Sequence, residues 1–221
     1  MYIDKQYCHK MKKASWITIG ILSTVIGLYP IIYFLIDRQF GLLSSKPFEL
    51  LNDNLWNIAF YGHITFGGLA LLIGWLQFSN KLRIKNTGQH RRIGKTYVIS
   101  VFISGVCGLF IALYATGGII SILGFFLLGL IWLTTTILSF KAVKKGNVAL
   151  HEKLMIFSYA ACFAAVTLRV WLPLLTFAMG EFNSAYRIVA WLCWVPNIIV
   201  AYFIVRNKRN QTEKPVGADI V

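Results

Sequence analysis

Six apolar runs, each about twenty residues long, constrain the fold of this chain more than any other feature of its sequence. A helix rises about 1.5 Å per residue, so a run of this length crosses the hydrocarbon core of a bilayer, which is about 30 Å thick. The sequence therefore predicts an all-α integral membrane protein with six transmembrane helices. We place these spans at residues 16–36, 55–78, 96–115, 119–140, 154–178 and 186–205.

The composition is typical of a membrane protein, and this changes the meaning of the high positive charge. The chain is 57% hydrophobic and 14% charged, with a net charge of +14, and soluble domains are less apolar and more charged. In a soluble protein such a net charge would indicate a nucleic-acid partner. Here the basic residues lie in short loops and tails between the spans. We therefore predict the lipid bilayer as the surroundings and no nucleic-acid partner.

The distribution of the basic residues predicts the orientation of the six spans. Eighteen of the 22 Lys and Arg residues lie in four segments, 1–15, 79–95, 141–153 and 206–221. With six spans, all four segments fall on one side of the membrane, and basic loops stay on the cytoplasmic side. We therefore predict a cytoplasmic N-terminus over 1–15, a six-helix membrane domain over 16–205 and a disordered cytoplasmic tail over 206–221.

Small and polar residues recur at helical spacing in spans 2 to 5, whereas spans 1 and 6 are apolar nearly all round. The clearest stripes run through His63, Gly67, Ala70, Gly74 and Gln77 in span 2 and through His90, Gly94, Tyr97, Val101, Ser104 and Gly108 in span 3. Such stripes allow membrane helices to approach closely. We therefore expect an inner four-helix bundle of spans 2 to 5, with spans 1 and 6 at its periphery.

Span 5 contains the most unusual residue of the membrane domain, Arg169. It is 18 residues after His151, so the two share one face of a helix about 27 Å apart. An ionisable residue inside a span is costly and marks a candidate functional site. No Asp or Glu lies inside a predicted span, and a guanidinium keeps its proton. Arg169 therefore needs backbone carbonyls, a loop carboxylate such as Glu181 or Asp53, or a ligand with a phosphate, carboxylate, haem propionate or quinone oxygen.

Three histidines join Arg169 as candidates for a cofactor or ligand site. His90 and His151 lie at the cytoplasmic ends of their helices, where they are either interfacial residues or the two axial ligands of a b-type haem iron. His63 lies in the outer half, at the depth of Arg169, and is either a packing residue or part of a second polar site. No catalytic residue is assigned, because the chain has no HExxH motif, glycine-rich phosphate loop or Ser/His/Asp constellation.

Three segments, HRRIGKTY at 90–97, HEKLM at 151–155 and AAVTLR at 164–169, resemble the landmarks of a known family. It is a bacterial family of predicted membrane proteins catalogued as domain of unknown function 2306 (DUF2306), and the resemblance covers residues 60–175 or thereabouts. Leu154 stands where the family pattern has tryptophan. The resemblance implies a bacterial cytoplasmic membrane location and no particular activity. The positions that it marks as characteristic are His63, His90, Arg91, Gly94, His151, Met155 and Arg169.

Three functions are open at this point. The first is a small redox protein that holds one haem b or handles a quinone, with His90 and His151 as the haem ligands. The second is a carrier for a small anionic or amphipathic solute, with Arg169 as the counter-charge. The third is a non-catalytic assembly protein, in which the polar stripes serve only helix packing.

Overall fold

The computed structural model describes residues 2–36 and 41–212, with side chains described for 14–36, 41–79 and 82–208. All regular structure in these residues is helical, which confirms the all-α class. The final part of the predicted tail, 213–221, lies outside the described residues, and so do the side chains of residues 1–13.

Six helices in the described part of the chain are long and apolar enough to cross a membrane, as the sequence predicted. They are span 1 (Ala14–Leu35), span 2 (Asn54–Phe78), span 3 (Thr87–Ala112), span 4 (Ile119–Lys144), span 5 (Val148–Met179) and span 6 (Phe182–Lys208). The helix Val195–Thr212, the last in the described residues, continues beyond span 6. Short helices also lie in the connections at Gly41–Ser45, Phe48–Leu51 and Asn80–Lys85.

Spans 3 and 5 begin well before their apolar runs, because asparagines in the basic loops cap them. Asn86 Oδ1 accepts a hydrogen bond from the backbone N–H of Gln89 (3.1 Å), and Asn147 Oδ1 accepts one from Leu150 (3.0 Å). An asparagine at this position satisfies an N–H group that the first helical turn leaves free. As a result, His90 and His151 lie inside the first turns of regular helices.

The polar stripes of spans 2 and 3 face each other in antiparallel register. A Cβ added at Gly67 would lie 2.9 Å from Ser104 Oγ, and one added at Gly108 would lie 2.8 Å from His63 Nδ1. At the other end, a Cβ on Gly74 would lie 2.8 Å from the Tyr97 ring. A larger side chain at any of these three glycines would have to displace the facing side chain, so glycine allows the close contact between the two helices.

Span 5 is interrupted in mid-membrane, where its helices Val148–Cys162 and Ala164–Met179 meet at Phe163. Asn197 of span 6 donates a hydrogen bond to the Ala160 carbonyl (3.3 Å), which lies just before the break. Polar side chains of neighbouring helices satisfy the backbone in this way wherever a membrane helix is irregular.

The two halves of span 5 have different neighbours. The N-terminal half, Val148–Cys162, packs mainly on span 4, whereas the C-terminal half, Ala164–Met179, packs mainly on span 6 and also contacts span 1. The inner bundle of spans 2 to 5 therefore stays a prediction. Span 1 and the C-terminal half of span 5 form the two sides of a cavity.

The connection between spans 1 and 2 is attached to the turn between spans 3 and 4. Lys46 Nζ donates hydrogen bonds to the Tyr114 carbonyl and to Thr116 Oγ1 (3.0 Å). Burial lowers the pKa of the Lys46 amine to about 8. The loop is thus held over the helix ends that lie next to the cavity.

Candidate functional site

Arg169 lies on the C-terminal half of span 5 without a carboxylate partner among the described residues. Its Nη1 donates a hydrogen bond to the Ala165 carbonyl (2.9 Å), and its guanidinium lies 4.5 Å from the centre of the Tyr29 ring. Its Nε is buried and has no hydrogen-bond partner in the described part of the chain. The sequence left a backbone carbonyl open as one partner of Arg169. The Ala165 carbonyl fills this role for Nη1 but leaves Nε without a hydrogen bond.

The two loop carboxylates considered as partners of Arg169 are engaged elsewhere. Asp53 caps span 2, where its Oδ1 accepts a hydrogen bond from the Trp56 N–H (2.9 Å). Glu181 accepts a hydrogen bond from the Ser184 hydroxyl. Both ion pairs found among the described residues belong instead to Glu152, which binds Arg83 and Lys208. The positive charge of Arg169 is therefore left without a protein counter-charge in the described region.

A cavity of about 770 Å³ lies beside Arg169. Tyr29 and Tyr33 of span 1 form one side of it, and the Gly41–Ser45 segment borders it. Span 5 forms the other side, where Thr176 Oγ1 is a second buried group without a hydrogen-bond partner among the described residues. The volume lies within the range of small-molecule sites, about 300–1,000 Å³. The cavity therefore combines apolar walls with two unpartnered donors.

His63 is fixed by a reciprocal set of hydrogen bonds with Ser104 of span 3. Its Nδ1 lies 2.9 Å from the Ser104 carbonyl oxygen, and the Ser104 hydroxyl donates to the His63 carbonyl (2.8 Å). Because a carbonyl can only accept, we assign the imidazole proton to Nδ1, which leaves Nε2 as an acceptor. His63 is also close enough to Arg169 to interact with its charge.

His151 repeats the same arrangement with Ser139 of span 4. Its Nδ1 lies 2.8 Å from Ser139 Oγ and 3.1 Å from the Ser139 carbonyl oxygen, and the Ser139 hydroxyl donates to the His151 carbonyl (3.1 Å). By the same argument, Nε2 of His151 is left as an acceptor. Neither serine was assigned to a site from the sequence.

His90 lies near His151, close enough for the two imidazoles to interact electrostatically. Its Nδ1 is buried without a hydrogen-bond partner in the described residues, and the same is true of Gln77 Nε2 on the facing span. The described residues contain no group of three or more His, Cys, Asp or Glu side chains suited to hold a metal ion. His90 and His151 therefore form a pair, and their role stays a prediction.

The four candidate residues thus form two groups, His90 with His151 at one end of the membrane domain and His63 with Arg169 towards the other. Buried hydroxyls lie between the groups. Tyr97 Oη and Ser158 Oγ are 2.8 Å apart, and Ser158 Oγ lies 2.6 Å from Thr136 Oγ1. These bonds join spans 3, 4 and 5 in the core, so we assign these hydroxyls to helix association.

Sequence reasoning missed Tyr29, Tyr33 and Thr176, which line the cavity with Arg169. The two tyrosines are four residues apart near the C-terminal end of an otherwise apolar span, so they share one helix face. This spacing indicates a polar face on span 1. It does not indicate that the face meets Arg169, because that depends on how the helices pack.

Comparison with known proteins identifies a family for this chain but no activity. A family model described as "Predicted membrane protein (DUF2306)" matches residues 60–205, from span 2 through most of span 6. No curated protein and no solved structure matches the chain.

Proposed function

The chain belongs to the DUF2306 family of predicted membrane proteins, and from this premise we propose that it binds a small anionic or amphipathic solute at Arg169. We place the site in the outer half of a bacterial cytoplasmic membrane, with both termini cytoplasmic, on the distribution of basic residues. A carrier function is consistent with a site inside the membrane domain that opens to one side.

One observation supports this proposal above all others: Arg169 borders a cavity and has no carboxylate partner in the described chain. A desolvated charge without a counter-charge is costly and is retained where it serves a function. A guanidinium also matches the geometry of a carboxylate or phosphate, which accepts two parallel N–H bonds. An anion in the cavity would satisfy the free Nε.

Arg169→Gln is expected to weaken anion binding about tenfold or more, since one charge-assisted hydrogen bond contributes about 1.5–3 kcal/mol. The probe is octanoate, added below its micelle concentration to protein in phosphatidylcholine nanodiscs. Binding is measured as the rise in melting temperature with ligand concentration. The matched control is Arg187→Gln, which also removes an outer arginine, one whose Nε binds the Gly117 carbonyl away from the cavity. Equal octanoate binding by Arg169→Gln and the wild type would refute the proposal.

A haem-linked redox function is the second candidate, and the His90–His151 pair favours it. A ligating histidine usually donates its other ring N–H to a carbonyl or carboxylate, which orients the ring. His151 has such a bond to Ser139 (3.1 Å to the carbonyl) and so presents a free Nε2. His151 is thus oriented as an axial ligand would be, whereas His90, whose Nδ1 has no hydrogen-bond partner among the described residues, would have to serve as the second ligand without such a bond. A bound haem would supply one-electron chemistry there.

Protein purified from cells supplied with a haem precursor is then expected to show a Soret band. His151→Ala and His90→Ala should each remove it, because each deletes a ligand. His63→Ala is the control and should keep the band, since His63 interacts with Arg169 instead. Colourless wild-type protein would exclude this second function and leave anion binding untouched.

A further inference from the structure

We infer that the ligand of the Arg169 cavity is a single-chain lipid with an oxyanion head group, which enters sideways from the outer leaflet, between spans 1 and 5. The inference rests on the proposed function and narrows its ligand class, because a small soluble anion would meet the proposed function equally well. Three features of the cavity support it: the composition of its walls, the exposure of its edge and the depth of its charge.

The walls of the cavity can pack against a hydrocarbon chain and have few hydrogen-bond donors for a hydrated ion. Seven of the 13 residues that line the cavity are apolar, including Ile26, Leu168, Leu172, Phe177 and Phe182, and two more are tyrosines. A hydrated anion entering this space would exchange its water shell for few donors, which is unfavourable. An amphiphile already in the bilayer would place its chain against the apolar part of these walls, so the main change of environment would be that of its head group.

The edge of the cavity faces hydrocarbon. Phe177, which lines it, is 92% exposed, and its neighbour Leu174 on the same helix is 56% exposed. On span 1, Leu35 is 78% exposed, just beyond the lining residue Tyr33. Large apolar side chains so exposed on a membrane helix lie against lipid. A chain extending from the cavity past Phe177 would therefore remain among acyl chains.

The charge lies deep in the cavity, and a second donor lies nearer its outer end. The Arg169 side chain points back along span 5 to the Ala165 carbonyl, whereas Thr176 is two turns closer to the outer end of the span. The Tyr29 ring lies against the guanidinium. A small oxyanion head, either carboxylate or monophosphate, matches this single charge, which has no carboxylate partner among the described residues, and a neutral lipid head does not.

The test is displacement of a dansyl-labelled fatty acid from the full-length protein in phosphatidylcholine nanodiscs. Oleate and lysophosphatidic acid are both expected to displace it, and the stronger of the two identifies the head as a carboxylate or a phosphate. Oleyl alcohol, which keeps the chain without the charge, should be about tenfold weaker or worse. Acetate and inorganic phosphate, which keep the charge without the chain, should not displace it at the same concentrations.

Substitutions on span 5 distinguish the binding of the lipid's acyl chain from the binding of its head group. Leu172→Trp fills the cavity and should weaken oleate binding about tenfold, whereas Leu174→Trp adds the same bulk outside the lining and should bind like the wild type. Thr176→Val keeps the side-chain shape, removes the unpartnered hydroxyl and should weaken binding a few-fold. It also tests the site if Leu172→Trp fails to fold, which a melting curve would reveal.

The outcomes distinguish this inference from the proposed function. If acetate or phosphate binds in an Arg169-dependent way and Leu172→Trp has no effect on it, the ligand is a soluble anion; the inference is then wrong and the proposed function stands. If oleyl alcohol displaces the probe as well as oleate does, or if Arg169→Gln changes no binding, both are wrong.

Discussion

Gly68→Ala is expected to destabilise the protein by about 3 kcal/mol, because the added methyl group has no space between spans 1 and 2. Its Cβ would lie 2.6 Å from the backbone oxygen of Gly27 and 2.9 Å from Cγ of Pro30. A backbone oxygen cannot rotate away as a side chain can, so span 1 would have to move as a unit. Thermal unfolding in detergent should show a melting temperature lower by about 10 °C.

Gly88→Ala is the matched control for this prediction. The nearest atom to its added Cβ is Asn86 Oδ1 at 3.8 Å, which is an ordinary contact. Alanine there should leave stability unchanged or raise it by about 0.5 kcal/mol, since it restricts the unfolded chain. Because Pro30 adjoins the cavity residue Tyr29, Gly68→Ala should also weaken octanoate binding. Wild-type stability in Gly68→Ala would contradict the close contact between the two spans.

The number of spans was predictable, whereas the starting points of spans 3 and 5 were not. Bilayer thickness sets the length of each apolar run, so composition alone separates six spans. Helix starts depend on single capping residues, and Asn86 and Asn147 extend two helices into loops that hydrophobicity does not mark. The break at Phe163 was also not predictable, because no proline or glycine lies there and its polar partner, Asn197, belongs to another span.

For the candidate site, the sequence indicated how deep each residue lies in its span but not which way its side chain points. Counting residues from the ends of each span places His63 near the level of Arg169 and His90 near that of His151, because the rise per residue is fixed. Which way each side chain points depends on how helices pack. The partners Ser104, Ser139 and Tyr29 became apparent only from the fold. The cavity itself arises where span 5 diverges towards span 6, which no local pattern encodes.

Arg169→Met is expected to raise the stability of the protein while removing its anion binding. Replacing a desolvated charge by an apolar side chain of similar length is often stabilising, by about 1–4 kcal/mol. Against this, the substitution loses the contact with the Tyr29 ring, which contributes about 0.5–2 kcal/mol. The net gain should therefore be about 1–2 kcal/mol.

Melting curves of Arg169→Met with and without octanoate measure both effects in one experiment. Without octanoate the variant should melt a few degrees above the wild type, and octanoate should no longer raise its melting temperature. In the control Arg187→Met the replaced arginine lies outside the cavity lining, so octanoate should still raise the melting temperature. Two results together would assign Arg169 to helix packing. They are a strongly destabilised Arg169→Met variant and a wild-type protein whose melting temperature does not respond to octanoate. The assembly function would then be favoured, because a residue that serves only packing stabilises the fold, whereas one kept for a ligand lowers stability until that ligand binds.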